Sequence, residues 1–133
     1  MERMLDFHIE AGSGLAPYAQ LVQQVKQALR LGWLQPGDKL PTVHEVAASV
    51  AINPNTVQKA YKELEHDGLV SGRPGQGTFV RRSLSQASAT AVSALSRRLA
   101  RWVATAREAG LDDDGIMDIM RATMRADRTD RIA

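Results

Sequence analysis

The chain has 133 residues, 44% of them hydrophobic and 24% charged, with a formal net charge of +2. That size and balance describe an ordinary soluble globular chain: one small domain with an appendage, or two very small units, with a core small enough that oligomerisation would help its stability. The absence of cysteine excludes disulfides, thiol catalysis and cysteine-based zinc sites, and fits a reducing cytoplasm. No apolar run is long enough to span a membrane, the acids in MERMLDFHIE do not fit a secretory signal, and a net charge of +2 does not by itself announce nucleic-acid binding.

Residues 5–9, LDFHI, alternate apolar and polar and predict a short strand. After the loop GSGLAP, a helix is expected from Tyr18, with Leu21, Val22, Val25, Ala28 and Leu29 on one face and Gly32 as its stop. LQPGDKLPT reads as a tight connection. Thr42-Val-His-Glu45 matches a capping box and predicts a short helix with Val43, Val46, Ala47 and Val50 facing inward. Asn53 as N-cap and Pro54 as first helical residue then start a further helix, whose apolar set is Val57, Ala60, Tyr61 and Leu64, ended by Gly68. LVSGRPGQGTFVRR reads as two short strands around a Gly/Pro-rich turn, Val70 in the first, Phe79 and Val80 in the second.

Composition shifts at about residue 83. Leu84, Ser88, Ala91, Leu95, Leu99, Trp102 and Ala106 follow at helical spacing, as on a helix–helix seam, with Arg97, Arg98, Arg101 and Arg107 off it. Gly110 ends this helix, and Asp112 or Asp113 caps a second, shorter one with Ile116, Ile119, Met120 and Met124 on its apolar face. The tail ADRTDRIA is expected to fray, and no internal repeat is visible.

This order of elements is a winged helix-turn-helix. The fold class is α+β, mostly α: a DNA-binding domain over 1–82, then a two-helix dimerisation segment over 83–133. Asn55, Gln58, Lys59 and Lys62 fall opposite the buried face of the second motif helix. Asn and Gln can pair bidentately with adenine, and Lys can reach guanine or phosphate. Asn53 and Thr56 lie where first-turn amides can hold phosphate. Arg73, Gln76 and the slim backbone at Gly75 and Gly77 form a wing tip, and Arg81 and Arg82 can add salt-dependent affinity. An exposed polar helix face is by itself an ordinary solvated surface; the adjoining wing is what gives this one a purpose.

The stretch PGDKLPTVHEVAASVAINPNTVQKAYKELEHDGLVSGRPGQGTFV resembles the DNA-binding domain of the GntR family of bacterial transcription regulators. The resemblance covers about residues 7–81. A short helical tail, in place of a large ligand-binding or aminotransferase-like domain, is similar to the YtrA-like branch. The resemblance implies a homodimeric, cytoplasmic repressor on an inverted-repeat operator, often beside transporter genes and its own operon. The expected DNA-contacting set is Thr42, His44, Asn53, Asn55, Thr56, Gln58, Lys59, Lys62, Arg73, Gln76 and Gly77. The expected dimerisation set is Leu84, Ala91, Leu95, Leu99, Trp102, Ile116, Ile119, Met120 and Met124. His44 stands where the family usually has an arginine that commonly contacts DNA; a histidine is shorter and mostly neutral, so its contact is weaker, water-mediated or absent.

Other functions find less support. A winged-helix protein-interaction or architectural module is the alternative, because fold does not fix function. His8, His44 and His66 are scattered and do not suit a metal, and Asp112, Asp113 and Asp114 are explained by capping. GRPGQG lacks the strand–loop–helix context of a nucleotide loop. No enzyme activity and no cofactor are expected, and no effector pocket is visible.

Overall fold

Leu21, Val22, Val25, Ala28 and Leu29 are all buried on one face of the first helix, as their spacing requires. A computed structural model of the chain describes residues 5–132. Its elements are α1 (Pro17–Arg30), α2 (Val43–Val50), α3 (Pro54–His66), β1 (Val70–Arg73), β2 (Gly77–Val80), α4 (Ala89–Glu108) and α5 (Asp113–Ile132). Contacts divide the chain into two units, one up to Val92 and one from Ser93.

In the first unit α1 and α2 both pack on α3. Leu21, Val25, Leu29, Leu40, Val46, Val57, Leu64, Leu69 and Val70 form a closed core there. Each helix start has a local cause. The Thr42 hydroxyl accepts from the Glu45 amide at 3.1 Å, and the Glu45 carboxylate accepts from the Thr42 amide at 2.8 Å, which completes the capping box. The Asn53 side chain accepts from the Asn55 amide at 2.8 Å, with Pro54 as the first helical residue.

The turn between α2 and α3 was not legible in advance. Ala51 takes a left-handed conformation, φ 57°, the sole non-glycine residue with positive φ among those described. The Ile52 amide then donates back to the Ala47 carbonyl at 3.1 Å. The same closure ends α3, where Leu69 donates to the Leu64 carbonyl at 3.0 Å behind Gly68.

β1 and β2 form an antiparallel hairpin with Val70 opposite Val80 and Arg73 opposite Gly77. The PGDKL segment joins it as a third rung. Val80 donates to the Asp38 carbonyl and Leu40 to the Thr78 carbonyl, both at 2.8 Å, with Lys39 bridged to Phe79. The Tyr61 hydroxyl donates to the Pro41 carbonyl, so this connection is tied to α3 as well as to the wing.

The expected strand over 5–9 is not a strand. Leu5, Phe7 and Ile9 do pack on the core while Asp6 and His8 stay exposed, but the segment has no strand partner. Glutamines of α1 take that role. Gln24 accepts from the His8 amide at 3.0 Å and donates to the His8 carbonyl at 2.7 Å. Buried Gln20 accepts from the Glu10 amide at 2.8 Å and donates to the Glu10 carbonyl at 3.0 Å and the Leu15 carbonyl at 2.9 Å. The spacings match: four helical residues rise about 6 Å and two extended residues about 6.6 Å.

The tail departs from expectation in three places. α4 starts at Ala89, so Leu84 and Ser88 precede it. Ser88 is the reason, since its hydroxyl accepts from the Ala91 amide at 3.0 Å as an N-cap does, and a cap has non-helical backbone. The second tail helix is not shorter, because α5 has 20 residues like α4. The stretch expected to fray is helical through Ile132, supported by an Arg131–Asp127 ion pair at 3.1 Å; Ala133 lies outside the described residues.

In the second unit the α4–α5 turn passes through Gly110, and Leu111 donates to the Ala106 carbonyl at 3.1 Å. Asp112 accepts from the Gly115 amide at 2.9 Å, and Arg107 pairs with Asp113 at 2.7 Å. Among the described residues of this unit, Ala106 and Ile116 alone are buried.

Candidate nucleic-acid interface

α3 presents its polar face because its apolar face is fully engaged. Val57, Ala60, Tyr61 and Leu64 are buried, and Asn55, Gln58 and Lys62 are exposed on one stripe at spacings of three and four. Lys59 is exposed beside them, its ammonium 3.9 Å from the centre of the Tyr18 ring. That contact links the opening turn of α1 to the outward face of α3, and sequence spacing contains no signal for it.

The remaining expected residues divide by what already occupies them. Asn53 spends its side-chain oxygen on the α3 cap. Thr42 is the α2 cap, and Thr56 is half-buried in the first turn of α3. His44 is exposed in the first turn of α2. Glu45 is held below its ordinary carboxylate range, first by the Thr42 amide, then by the Thr42 hydroxyl, with the Lys39 charge adding to the effect. Burial raises the phenol pKa of Tyr61, so it stays neutral and keeps its hydrogen bond to the backbone.

The wing is fixed at its base. Glu65 of α3 accepts from the Gly72 amide at 3.0 Å, which engages a carboxylate that would otherwise face outward near Lys62. The Arg73 guanidinium lies over the Phe79 ring, 4.4 Å from its centre. Gln76 donates its amide to the Arg73 carbonyl at 2.9 Å and closes the turn. Gly77 has φ 126°, and a Cβ there would stand 2.6 Å from Lys39 Cε. A side chain at 77 is thus excluded by the backbone conformation, while the lysine stem lies against the bare glycine.

Lys39, Thr42, Glu65, Arg73, Gln76 and Gly77 line one open hollow of about 640 Å³ between the wing and the start of α2. Lys39 and Phe79 were missed by sequence reasoning. The PGDKLP motif contained the signal for Lys39, while Phe79 was read only as a strand residue. Arg82 donates to the Asp67 carbonyl at 3.2 Å, which gives it a structural role at the end of α3.

The structure therefore brings together an exposed Asn/Gln/Lys stripe, the α2 N-terminus, and a wing that carries Arg73 and has Lys39 against it. A helix of this kind fits the major groove, and a flanking loop can follow the backbone. The residues expected to serve dimerisation lie at 84 and beyond. Leu95, Leu99 and Trp102 are exposed on α4, and Ile119 and Met124 on α5; Met120 is half-buried, Ile116 is buried, and Ala91 and Leu84 are exposed. Among the described residues, no group of three His, Cys, Asp or Glu is placed to hold a metal, and no helix is long and apolar enough to cross a membrane.

Residues 17–80 match the family described as bacterial regulatory proteins, gntR family. The transcriptional repressor YtrA of Bacillus subtilis (strain 168) is 46% identical over 72 residues, 54% of this chain and 55% of YtrA, so the match spans about half of that relative. The HTH-type transcriptional regulator Rv1152 of Mycobacterium tuberculosis is 35% identical over 109 residues, 82% of this chain and 86% of the relative. A solved structure of the AraR DNA-binding domain in complex with operator ORX1 is 28% identical with a TM-score of 0.53, over 59% of this chain and 98% of that one. The matched family is one of transcription regulators rather than of enzymes. By motif, fold and similarity together, this chain belongs to the GntR family of bacterial regulatory proteins, in its YtrA-like branch.

Proposed function

We propose that the chain is a homodimeric transcriptional repressor that binds an inverted-repeat operator, with residues 1–82 as the DNA-binding head and 83–133 as the dimerisation segment. The observation that carries this reading is the exposed Asn55–Gln58–Lys62 stripe on α3, beside a wing that bears Arg73 and has Lys39 of the PGDKL segment against it. The AraR complex supports a DNA partner for this fold, and YtrA supports repression. Asn55 and Gln58 read bases, Lys59, Lys62, Arg73 and Lys39 neutralise phosphates, and Thr42, Asn53, Thr56 and Gly77 set backbone approach. His44 makes a shorter-reach contact at the start of α2. Dimerisation is supported by the exposed apolar residues of the tail, Leu95 at 59%, Leu99 at 48% and Met124 at 60% exposure, which a second copy would cover. A dyad would place two α3 helices in successive major grooves, about 34–36 Å apart. Bound over a promoter, such a dimer excludes polymerase.

The test is a footprint on DNA upstream of the protein's own gene, with Asn55→Ala/Gln58→Ala alongside. We expect protection of two half-sites by the parent and loss of that protection by a variant that remains dimeric. Sequence-independent coverage, or unchanged protection by the variant, would instead favour an architectural or protein-interaction module.

A further inference from the structure

α5 is divided electrically along one edge. Asp114, Asp118, Arg121, Arg125 and Arg128 follow one another at spacings of four, three, four and three, which puts them in a single row. The two acids occupy the N-terminal half of the row, Arg125 and Arg128 the C-terminal half, and Arg121 the centre. Beside the row runs an apolar strip of Met117, Met120 and Met124. Met117 and Met124 are exposed.

Within the chain these charges are barely used. Arg121 pairs with Asp118 at 3.6 Å. Among the described residues Asp114, Arg125 and Arg128 take no ion pair. The row thus offers an unpaired acid at one end and unpaired bases at the other, next to apolar surface that water covers.

We infer that α5 packs on α5 of a second copy of this chain in an antiparallel orientation, the Asp114–Asp118 end of each row lying along the Arg125–Arg128 end of the other. The inference rests on the proposed homodimer and specifies its geometry. When helices pack antiparallel about a dyad, each edge meets the same edge of its partner running the other way; when they pack parallel, opposite edges meet. Here the opposite edge holds Ile116, Thr123, Asp127 and Asp130; its two acids reach only the basic half of the row, Asp127 is already paired with Arg131 at 3.1 Å, and the edge offers no cation to Asp114 and Asp118. The antiparallel arrangement alone serves both halves of the row, setting Asp114 and Asp118 against Arg128 and Arg125; it also opposes the two helix dipoles and places Met120 and Met124 near the dyad. Arg121, already paired with Asp118 in its own helix, sits at the centre, where the two rows cross.

The test uses the full chain and two charge variants. Asp114→Lys/Asp118→Lys makes the row wholly basic, and Arg125→Glu/Arg128→Glu makes its outer ends acidic. Each variant alone should dimerise roughly tenfold more weakly than the parent, because like charges then face each other. Mixing the two should restore parental affinity through heterodimers, which also shows that both are folded. Since the chain has no cysteine, Met120→Cys should oxidise to a covalent dimer, while Asp127→Cys, far from the dyad, should not. A dimer in which Asp127→Cys cross-links, or in which mixing gives no preference for heterodimers, overturns the antiparallel packing and leaves the dimer standing. A parent chain that stays monomeric by sedimentation overturns the dimer as well and leaves this face to another partner.

Discussion

The ammonium of Lys59 rests 3.9 Å from the centre of the Tyr18 ring. A flexible lysine on the outward face of α3 is thereby held in a defined place by a residue 41 positions earlier in the chain. An exposed cation–π contact is worth about 0.5–1 kcal/mol. Tyr18→Leu should therefore lower operator affinity roughly two- to fivefold in a titration at fixed salt. Tyr18→Phe should stay close to the parent. A Phe variant as weak as the Leu variant would mean that the hydroxyl, not the ring, matters.

The Glu65–Gly72 hydrogen bond is the direct tie between α3 and the wing. Glu65→Ala should loosen the hairpin and weaken operator binding, with a loss of folding stability within about 1 kcal/mol because the bond is exposed. Glu65→Gln keeps an acceptor oxygen and should bind nearly as the parent does. Equal binding by all three in a competition assay would show that the wing is positioned by the PGDKL rung alone.

Ala51 carries a side chain where the backbone is left-handed. That conformation costs an L-residue roughly 1–2 kcal/mol, and glycine avoids it while losing some back through its freer unfolded chain. Ala51→Gly should raise the urea midpoint by a stability gain of roughly 0.5 kcal/mol. Ala51→Val should lower it, since branching at Cβ worsens the same clash. A destabilised glycine variant would show that the turn draws more from the Ala51 methyl than its exposure suggests.

Glu45 ties stability to acid conditions. Its folded-state pKa lies below the ordinary 4.5, held there mainly by Thr42, so the unfolded chain takes up this proton more readily. The stabilisation is complete above about pH 4.5 and disappears as pH falls through the folded-state value. Glu45→Gln should flatten the acid limb of the stability–pH curve while keeping a capping amide. Thr42→Ala should cost about 1 kcal/mol at neutral pH through loss of the cap. Urea titrations across the acid range measure both; an unaltered acid limb in the glutamine variant would assign the pH dependence elsewhere.

The parts of the fold legible in the sequence were those with a local physical cause. Thr42 and Glu45, and Asn53 with Pro54, announced helix starts because capping involves residues two or three apart. The apolar face of α3 followed from spacing, which left Asn55, Gln58 and Lys62 outward. What could not be read depended on partners distant in sequence. LDFHI has the alternation of a strand, but alternation reports only that one face is buried; whether a strand or a pair of glutamines satisfies the backbone is settled by α1. Leu84 had the right interval for the α4 seam, yet Ser88 stops the helix short of it. Lys39 and Tyr18 belong to the site only because the wing and α1 fold against them.

The glutamine ladder on α1 also sets what the N-terminal segment tolerates. Gln20 and Gln24 grip the main chain of Glu10 and His8, not their side chains. Positions 8 and 10 are therefore open to almost any outward side chain, charged, bulky or labelled, without disturbing the core. Proline is the exception, because it brings no amide hydrogen for the glutamine oxygen to accept. The segment is thus rewritable at every second position, while Leu5, Phe7 and Ile9, whose side chains pack on the core, are the letters it has to keep.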